Sequence, residues 1–165
     1  MVTAIRNWEI DMNEQTYDAL KIENQLCFPL YACSREVIKQ YKPYLDKMDL
    51  TYTQYVVMLA LWEEKEMTVK TLGDRLYLDS GTLTPLLKKL EAKGYITRTR
   101  SRKDERNLLV AVTESGAALR ELALEMPCAI KKHTELTSEE TETLYRLLYK
   151  VLAHVDERNE REAMK

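Results

Sequence analysis

Between Thr68 and Thr113 the apolar spacing commits the chain to two short helices followed by a pair of strands, an order that few folds accommodate. Thr68 is placed to cap a first helix running to Leu76, in which Val69, Leu72 and Leu76 recur at i, i+3 and i+7 and share one face. A turn at Tyr77-Leu78-Asp79 follows. Asp79 or Ser80 can then cap a second helix to Lys93, with Leu83, Leu86, Leu87 and Leu90 on its buried side and Thr82, Thr84, Lys88 and Lys89 outside. Pro85 removes one backbone hydrogen bond near its start, and Gly94, which takes positive φ cheaply, stops it. Tyr95 to Arg100 alternates as a strand with Arg98 and Arg100 on one face. Leu108 to Thr113 alternates as its partner, with Leu108, Val110 and Val112 inward. The loop between them, Ser101 to Asn107, is so charged that it must project into solvent or toward a polyanion.

Charge follows the same boundaries. From Thr68 to Asn107 there are 10 Lys and Arg against 5 Asp and Glu, which leaves 15 basic and 22 acidic residues elsewhere. The near-neutral total of −2 therefore hides a basic segment on an acidic body. A helix pair or a charged hairpin taken separately is an ordinary packed pair or a solvated loop. In this order and with this charge they predict a winged helix-turn-helix with double-stranded DNA as the partner. Ser80, Thr82 and Thr84, near the start of the second helix, would meet base edges or phosphates in the major groove. Lys88, Lys89, Arg98 and Arg100 suit phosphates, and Arg106, its guanidinium fixed by Asp104, would reach the minor groove from the wing.

The rest of the chain reads as helical, so the expected fold is mainly α with a small β-wing. A length of 165 residues supports one core. Residues 1–16, with Trp8, Ile10 and Met12, form an N-terminal extension; residues 17–165 form a single domain with residues 68–113 as its DNA-binding head. One amphipathic helix runs from about Tyr17 to Tyr41 and is ended by Pro43. A second, apolar over most of its circumference, opens near Thr51 or Thr53, ends near Glu64 and belongs in the centre. Thr113 caps a helix from Glu114 to about Met126, where Pro127 interrupts, and Ser138 opens a last helix carrying Leu144, Leu147, Leu148, Val151, Leu152 and Val155. The helices in 17–45 and 114–157 have too little of their own domain to cover them, which predicts a two-fold homodimer presenting two heads. The alternative is that they pack on the head of the same chain.

No secretory signal is visible, and the longest apolar stretch, Tyr55 to Trp62, is too short to span a bilayer, so a cytoplasmic protein without a membrane partner is expected. Three cysteines in a reducing compartment are not a disulfide framework, and His133 and His154 lack metal-ligand spacing. No cofactor or metal is implied. Nothing matches the Cys-x-x-Cys of thioredoxin-like proteins, so a thiol peroxidase, or any other enzyme, is disfavoured. An interaction module that uses the winged head without DNA remains a separate possibility, marked by absent or salt-insensitive DNA binding.

The run from Tyr77 to Gly94, followed by Ile96-Thr97-Arg98 and Asp104-Glu105-Arg106, resembles the MarR family of winged helix-turn-helix repressors, and within it the organic hydroperoxide sensors of the OhrR type. A second motif supports it: Glu23-Asn24-Gln25-Leu26-Cys27-Phe28, then Tyr31, Ser34-Arg35-Glu36, Gln40-Tyr41-Lys42-Pro43 and Thr51-Tyr52. The resemblance covers about residues 20–155. It implies that Cys27 is a peroxide-reactive thiol surrounded by the phenols of Tyr31, Tyr41 and Tyr52, the last two from a partner subunit. Oxidation would release a near-palindromic operator. Spacing by itself favours an inert, buried cysteine on an apolar helix face. The resemblance also makes Cys128 a candidate resolving thiol, against a mixed disulfide with a low-molecular-weight cellular thiol. Cys33, about 240° around the same helix from Cys27, is a bystander. Pro29, two residues past Cys27, departs from the pattern and is expected to kink the helix there. A relative released by a small aromatic ligand instead of an oxidant is the runner-up.

Overall fold

In a computed structural model that describes residues 17–100 and 107–163, the helix-turn-helix signals are realised almost residue for residue. Asp104 and Arg106 lie outside the described residues. The chain divides into two compact units, Met1–Lys39 and Gln40–Lys165.

The second unit is built around helix α2 (Tyr52–Glu64), which buries Tyr55, Val57, Met58, Ala60, Leu61 and Trp62. Its start is fixed by a reciprocal cap: the Gln54 amide donates to Thr51 Oγ1, and the Thr51 amide donates to Gln54 Oε1 at 3.0 Å. That pairing satisfies Gln54, a buried polar residue. Helices α3 (Val69–Leu76) and α4 (Ser80–Ala92) pack on α2 through Leu72, Leu83, Leu87 and Leu90. Thr68 caps α3 as expected, and Gly94 follows α4 at φ 75°, where a side chain would be strained.

Strands β1 (Glu66–Thr68), β2 (Ile96–Arg100) and β3 (Leu108–Val112) form an antiparallel sheet in the order β1-β3-β2, with Val110 opposite both Met67 and Arg98. The hairpin was legible; β1 was not. Three residues with only Met67 buried give no alternation long enough to detect.

Helix α5 (Glu114–Ala123) starts at the expected Thr113 cap but stops before Met126. Pro127 does not interrupt it. Instead Pro127 stands in the first turn of a further helix, α6 (Met126–Thr134), where its missing N–H has no intrahelical partner to lose. Helix α7 (Ser138–Ala163) is capped one residue earlier than expected. Thr137 accepts from the Glu140 amide, and the Glu140 carboxylate accepts from the Thr137 amide at 2.8 Å. Leu144, Tyr145, Leu147, Leu148, Tyr149, Val151 and Val155 are all exposed along α7.

Helix α1 (Cys27–Leu45) begins ten residues later than periodicity suggested; Tyr17–Leu20 and Ile22–Asn24 are short 3-10 turns. Cys27 is thus the first residue of α1 and Pro29 the third. In the first turn a proline costs no intrahelical bond, so the expected kink has no cause. Pro43 lies inside the helix without ending it. The first unit exposes Leu20, Ile22, Leu26, Phe28, Leu30 and Tyr31.

Candidate functional site

Helix α4 carries the residues assigned to DNA. Leu83, Leu87 and Leu90 anchor one side in the core, which turns Ser80, Thr82, Thr84, Lys88 and Lys89 outward, and all five are exposed. Asp79 is the cap. Its carboxylate accepts from the Thr82 amide and from Thr82 Oγ1, each at 2.9 Å. The backbone bond first, then the hydroxyl, hold this carboxyl below the usual range. Because the Thr82 hydroxyl hydrogen is given to Asp79, its oxygen can only accept from a base or a solvent donor.

Arg98, expected at phosphates, has its guanidinium engaged within the chain. Its Nε and Nη2 donate to Glu91 Oε2 at 2.9 and 2.5 Å, and its amide donates to Glu91 Oε1 at 3.2 Å. Glu91 is held low by that guanidinium. The pair straps the end of α4 to β2, so Arg98 is a strut between reading helix and wing, while Arg100 at the end of β2 is exposed. The seven-residue separation crosses a helix end and a turn, and no helical or strand period reveals it.

The thiol lies in the first unit. Cys27 is exposed, contrary to the buried cysteine that spacing favoured. It opens α1, where the Phe28 amide donates to the Gln25 carbonyl at 3.3 Å and Pro29 brings no N–H. Tyr31 follows one turn on and Arg35 one turn beyond. The Arg35 guanidinium donates to Tyr31 Oη at 2.7 Å and lies 5.5 Å from the centre of its ring. With its oxygen already accepting from Arg35, Tyr31 keeps its own O–H to donate elsewhere. Arg35 was quoted in the sequence motif but given no role there. Cys33 is exposed as well.

Tyr41 and Tyr52 belong to the second unit, where they meet edge to face with ring centres 5.1 Å apart; Tyr55 lies 6.0 and 6.4 Å from them and Trp62 6.1 Å beyond. Burial raises all three phenols above their ordinary range, Tyr55 to about 12. Tyr145 on α7 adds to the rise at Tyr41 and Tyr52, a neighbour that no local spacing announced. These phenols therefore stay protonated near neutrality and keep an O–H to donate. Cys128, the third residue of α6, is exposed. Among the described residues no group of three His, Cys, Asp or Glu is placed to hold a metal.

The family of transcriptional regulators described as SarA/Rot matches residues 39–121. The organic hydroperoxide resistance transcriptional regulator of Bacillus subtilis is 50% identical over 146 residues, 88% of this chain and 99% of that protein. Two solved structures of AbfR, a Staphylococcus epidermidis protein, superpose well. Reduced AbfR bound to DNA gives a TM-score of 0.68 at 38% identity, covering 82% of this chain and 95% of that one. Its disulfide form gives 0.58 at 38% identity, covering 84% and 94%. The chain belongs to the SarA/Rot/MarR family of winged helix transcriptional regulators. Within that family it is a regulator of the OhrR/MarR type.

Proposed function

We propose that the chain is a thiol-based repressor that grips a near-palindromic operator as a two-fold dimer while Cys27 is reduced, and releases it when an organic hydroperoxide oxidises that sulfur. The observation that carries this reading is an exposed cysteine opening α1, with Tyr31 one turn on, in a chain half identical to an organic hydroperoxide resistance regulator.

The chemistry is a two-electron oxidation. The Cys27 thiolate attacks the outer oxygen of the hydroperoxide, the O–O bond breaks, and the alkoxide leaves as an alcohol after taking a proton. Cys27 becomes a sulfenic acid. The phenols of Tyr31 and of a partner's Tyr41 and Tyr52 suit the donor role, since burial keeps the latter two protonated. A second thiol then condenses with the sulfenic acid and expels water. Cys128 of the partner is one source of that thiol, and a low-molecular-weight thiol is the other. That AbfR has a disulfide form supports the first.

Dimerisation is supported by the uncovered apolar residues of α7 and of the first unit, too many to leave in water. On DNA, Ser80, Thr82 and Thr84 read the major groove, and Lys88, Lys89 and Arg100 hold phosphates. Arg106 and Asp104 serve the wing. Arg98 acts indirectly, by fixing the wing's angle to α4. Oxidation alters packing around Cys27 and so the spacing of the two heads, and both half-sites can no longer be held together.

The test is a gel shift with an operator fragment and an alkyl hydroperoxide, paired with mass spectrometry of Cys27. Loss of binding in step with Cys27 oxidation is expected, and Cys27→Ser should remain bound. Unchanged binding by protein shown to be oxidised at Cys27 rejects the reading; induction of Cys27→Ser by a small aromatic compound replaces the oxidant with a ligand.

A further inference from the structure

Helix α6 carries Cys128 at its third position and Lys131 and Lys132 three and four residues later. That spacing places both lysines on the thiol's side of the helix, and long helical side chains lean back toward the N-terminus, over the turn that bears the sulfur. The three line one open pocket of about 490 Å3, completed by Glu135, Leu136 and Thr137. Neither ammonium group has a partner among the described residues. The pocket thus offers an incoming molecule a thiol, two free cations and a single carboxylate, closed by the residues that follow the C-terminal end of α6. Cys33, also exposed, has no comparable pair of cations at i+3 and i+4, where Glu36 and Val37 stand.

We propose that this pocket is a modification site at which Cys128 takes up a small anionic thiol, by exchange with the disulfide of a carboxylate-bearing low-molecular-weight thiol. The Cys128 sulfur, having lost its proton to solvent, attacks one sulfur of that disulfide. A new S–S bond forms, the old one breaks, and the departing half leaves as a thiolate with the electron pair. Cys128 is oxidised, and the small disulfide is reduced and serves as the only oxidant required. Lys131 and Lys132 select the reactant by charge. No hydroperoxide and no Cys27 take part, so the site stands or falls independently of the sensing reading. If that reading holds, a capped Cys128 is withheld from oxidised Cys27, and the state of the small-thiol pool becomes a second input.

The experiment uses the full chain carrying Cys27→Ser, which removes hydroperoxide chemistry from the measurement. Three disulfides are supplied in turn: anionic oxidised glutathione, neutral bis(2-hydroxyethyl) disulfide and cationic cystamine. Peptide mass spectrometry follows adducts at Cys128, with Cys33 in the same molecule as the internal standard. At low salt the Cys128 rate relative to Cys33 is expected to be about three- to tenfold higher for glutathione disulfide than for the neutral reagent, and lowest for cystamine. Lys131→Gln with Lys132→Gln should abolish that order and the paired Arg replacements should keep it. An order absent in the parent, or surviving the double Gln variant with unchanged circular dichroism, overturns the proposal.

Discussion

Replacing Gly116 by Ala should destabilise this protein, although Gly to Ala within a helix is ordinarily worth about 1 kcal/mol of added stability. Gly116 is the third residue of α5, and it lies flush against the backbone of Tyr95. A methyl group there would run into the Tyr95 carbonyl oxygen and come within 2.9 Å of its carbon and 3.1 Å of Met58 Cε. The methionine can move; the carbonyl cannot, because it accepts from the Thr113 amide at 3.1 Å. The neighbouring Gly94 carbonyl is held as well, by Thr113 Oγ1 at 2.6 Å and Ser115 Oγ at 2.8 Å. On the other side Trp62 Nε1 donates to the Gly116 carbonyl at 2.8 Å. Overpacking of this kind costs up to about 3 kcal/mol, so a net loss of about 2 kcal/mol is expected after the propensity gain. For a chain of this size that is a fall in Tm of roughly 4 to 8 °C. Thermal and urea unfolding at matched protein concentration would measure it, since an oligomer's Tm depends on concentration. Ala118→Gly, exposed on the same helix, supplies the scale of the propensity effect alone. A Gly116→Ala protein at or above the parent Tm would refute the close approach of α5 to Tyr95, and with it the rigid joint between α5 and the segment leading into the wing.

Asp79 and Glu140 have folded-state pKa values held below the usual range by hydrogen bonds from Thr82 and Thr137. Their stabilising effect is therefore full above the ordinary carboxylate pKa of about 4 and is lost as pH falls through the lower folded value. Asp79→Asn should flatten the acid limb of a stability–pH curve, and a curve unchanged by it would remove Asp79 from the cap. Glu91→Gln frees Arg98, so amide hydrogen exchange in β2 should speed up and operator affinity should drop; protection equal to the parent would show that the strap is idle. Arg35→Ala should slow the reaction of Cys27 with an alkyl hydroperoxide while leaving reduced-state DNA affinity intact. In a Tyr31→Phe background the same change should add nothing, and additive effects would separate Arg35 from the phenol.

Much of the reading head was legible because its signals are local. The caps at Thr68, Asp79 and Thr113, the stop at Gly94 and the leucine stripe of α4 each depend on a few neighbouring residues. The same reasoning misplaced elements wherever a proline was taken as a boundary. Pro43 lies within α1 without ending it, and Pro127 stands in a first turn, where the residue is harmless, so α6 exists at all. Pro29, taken for a kink, stands in a first turn too, while the start of α1 at Cys27 was missed because the apolar spacing continues upstream of it. Knowing the true start changes the chemistry, since it moves Cys27 from the middle of an apolar helix face to an exposed helix end.

What the residue order determined was everything governed by separations of up to four residues: which segments coil, where they are capped, which face is apolar, and that basic charge gathers on the stretch from Thr68 to Asn107. Only the folded chain decided the partnerships across long separations. Glu91 claims Arg98 across a turn, Gly116 admits the Tyr95 backbone, and Tyr41 and Tyr52 bury each other's phenols. The reason is physical. Caps and stripes are selected by dihedral angles and helical period within one element, whereas ion pairs, close backbone approaches and desolvated hydroxyls exist only after separate elements have packed and displaced the water between them.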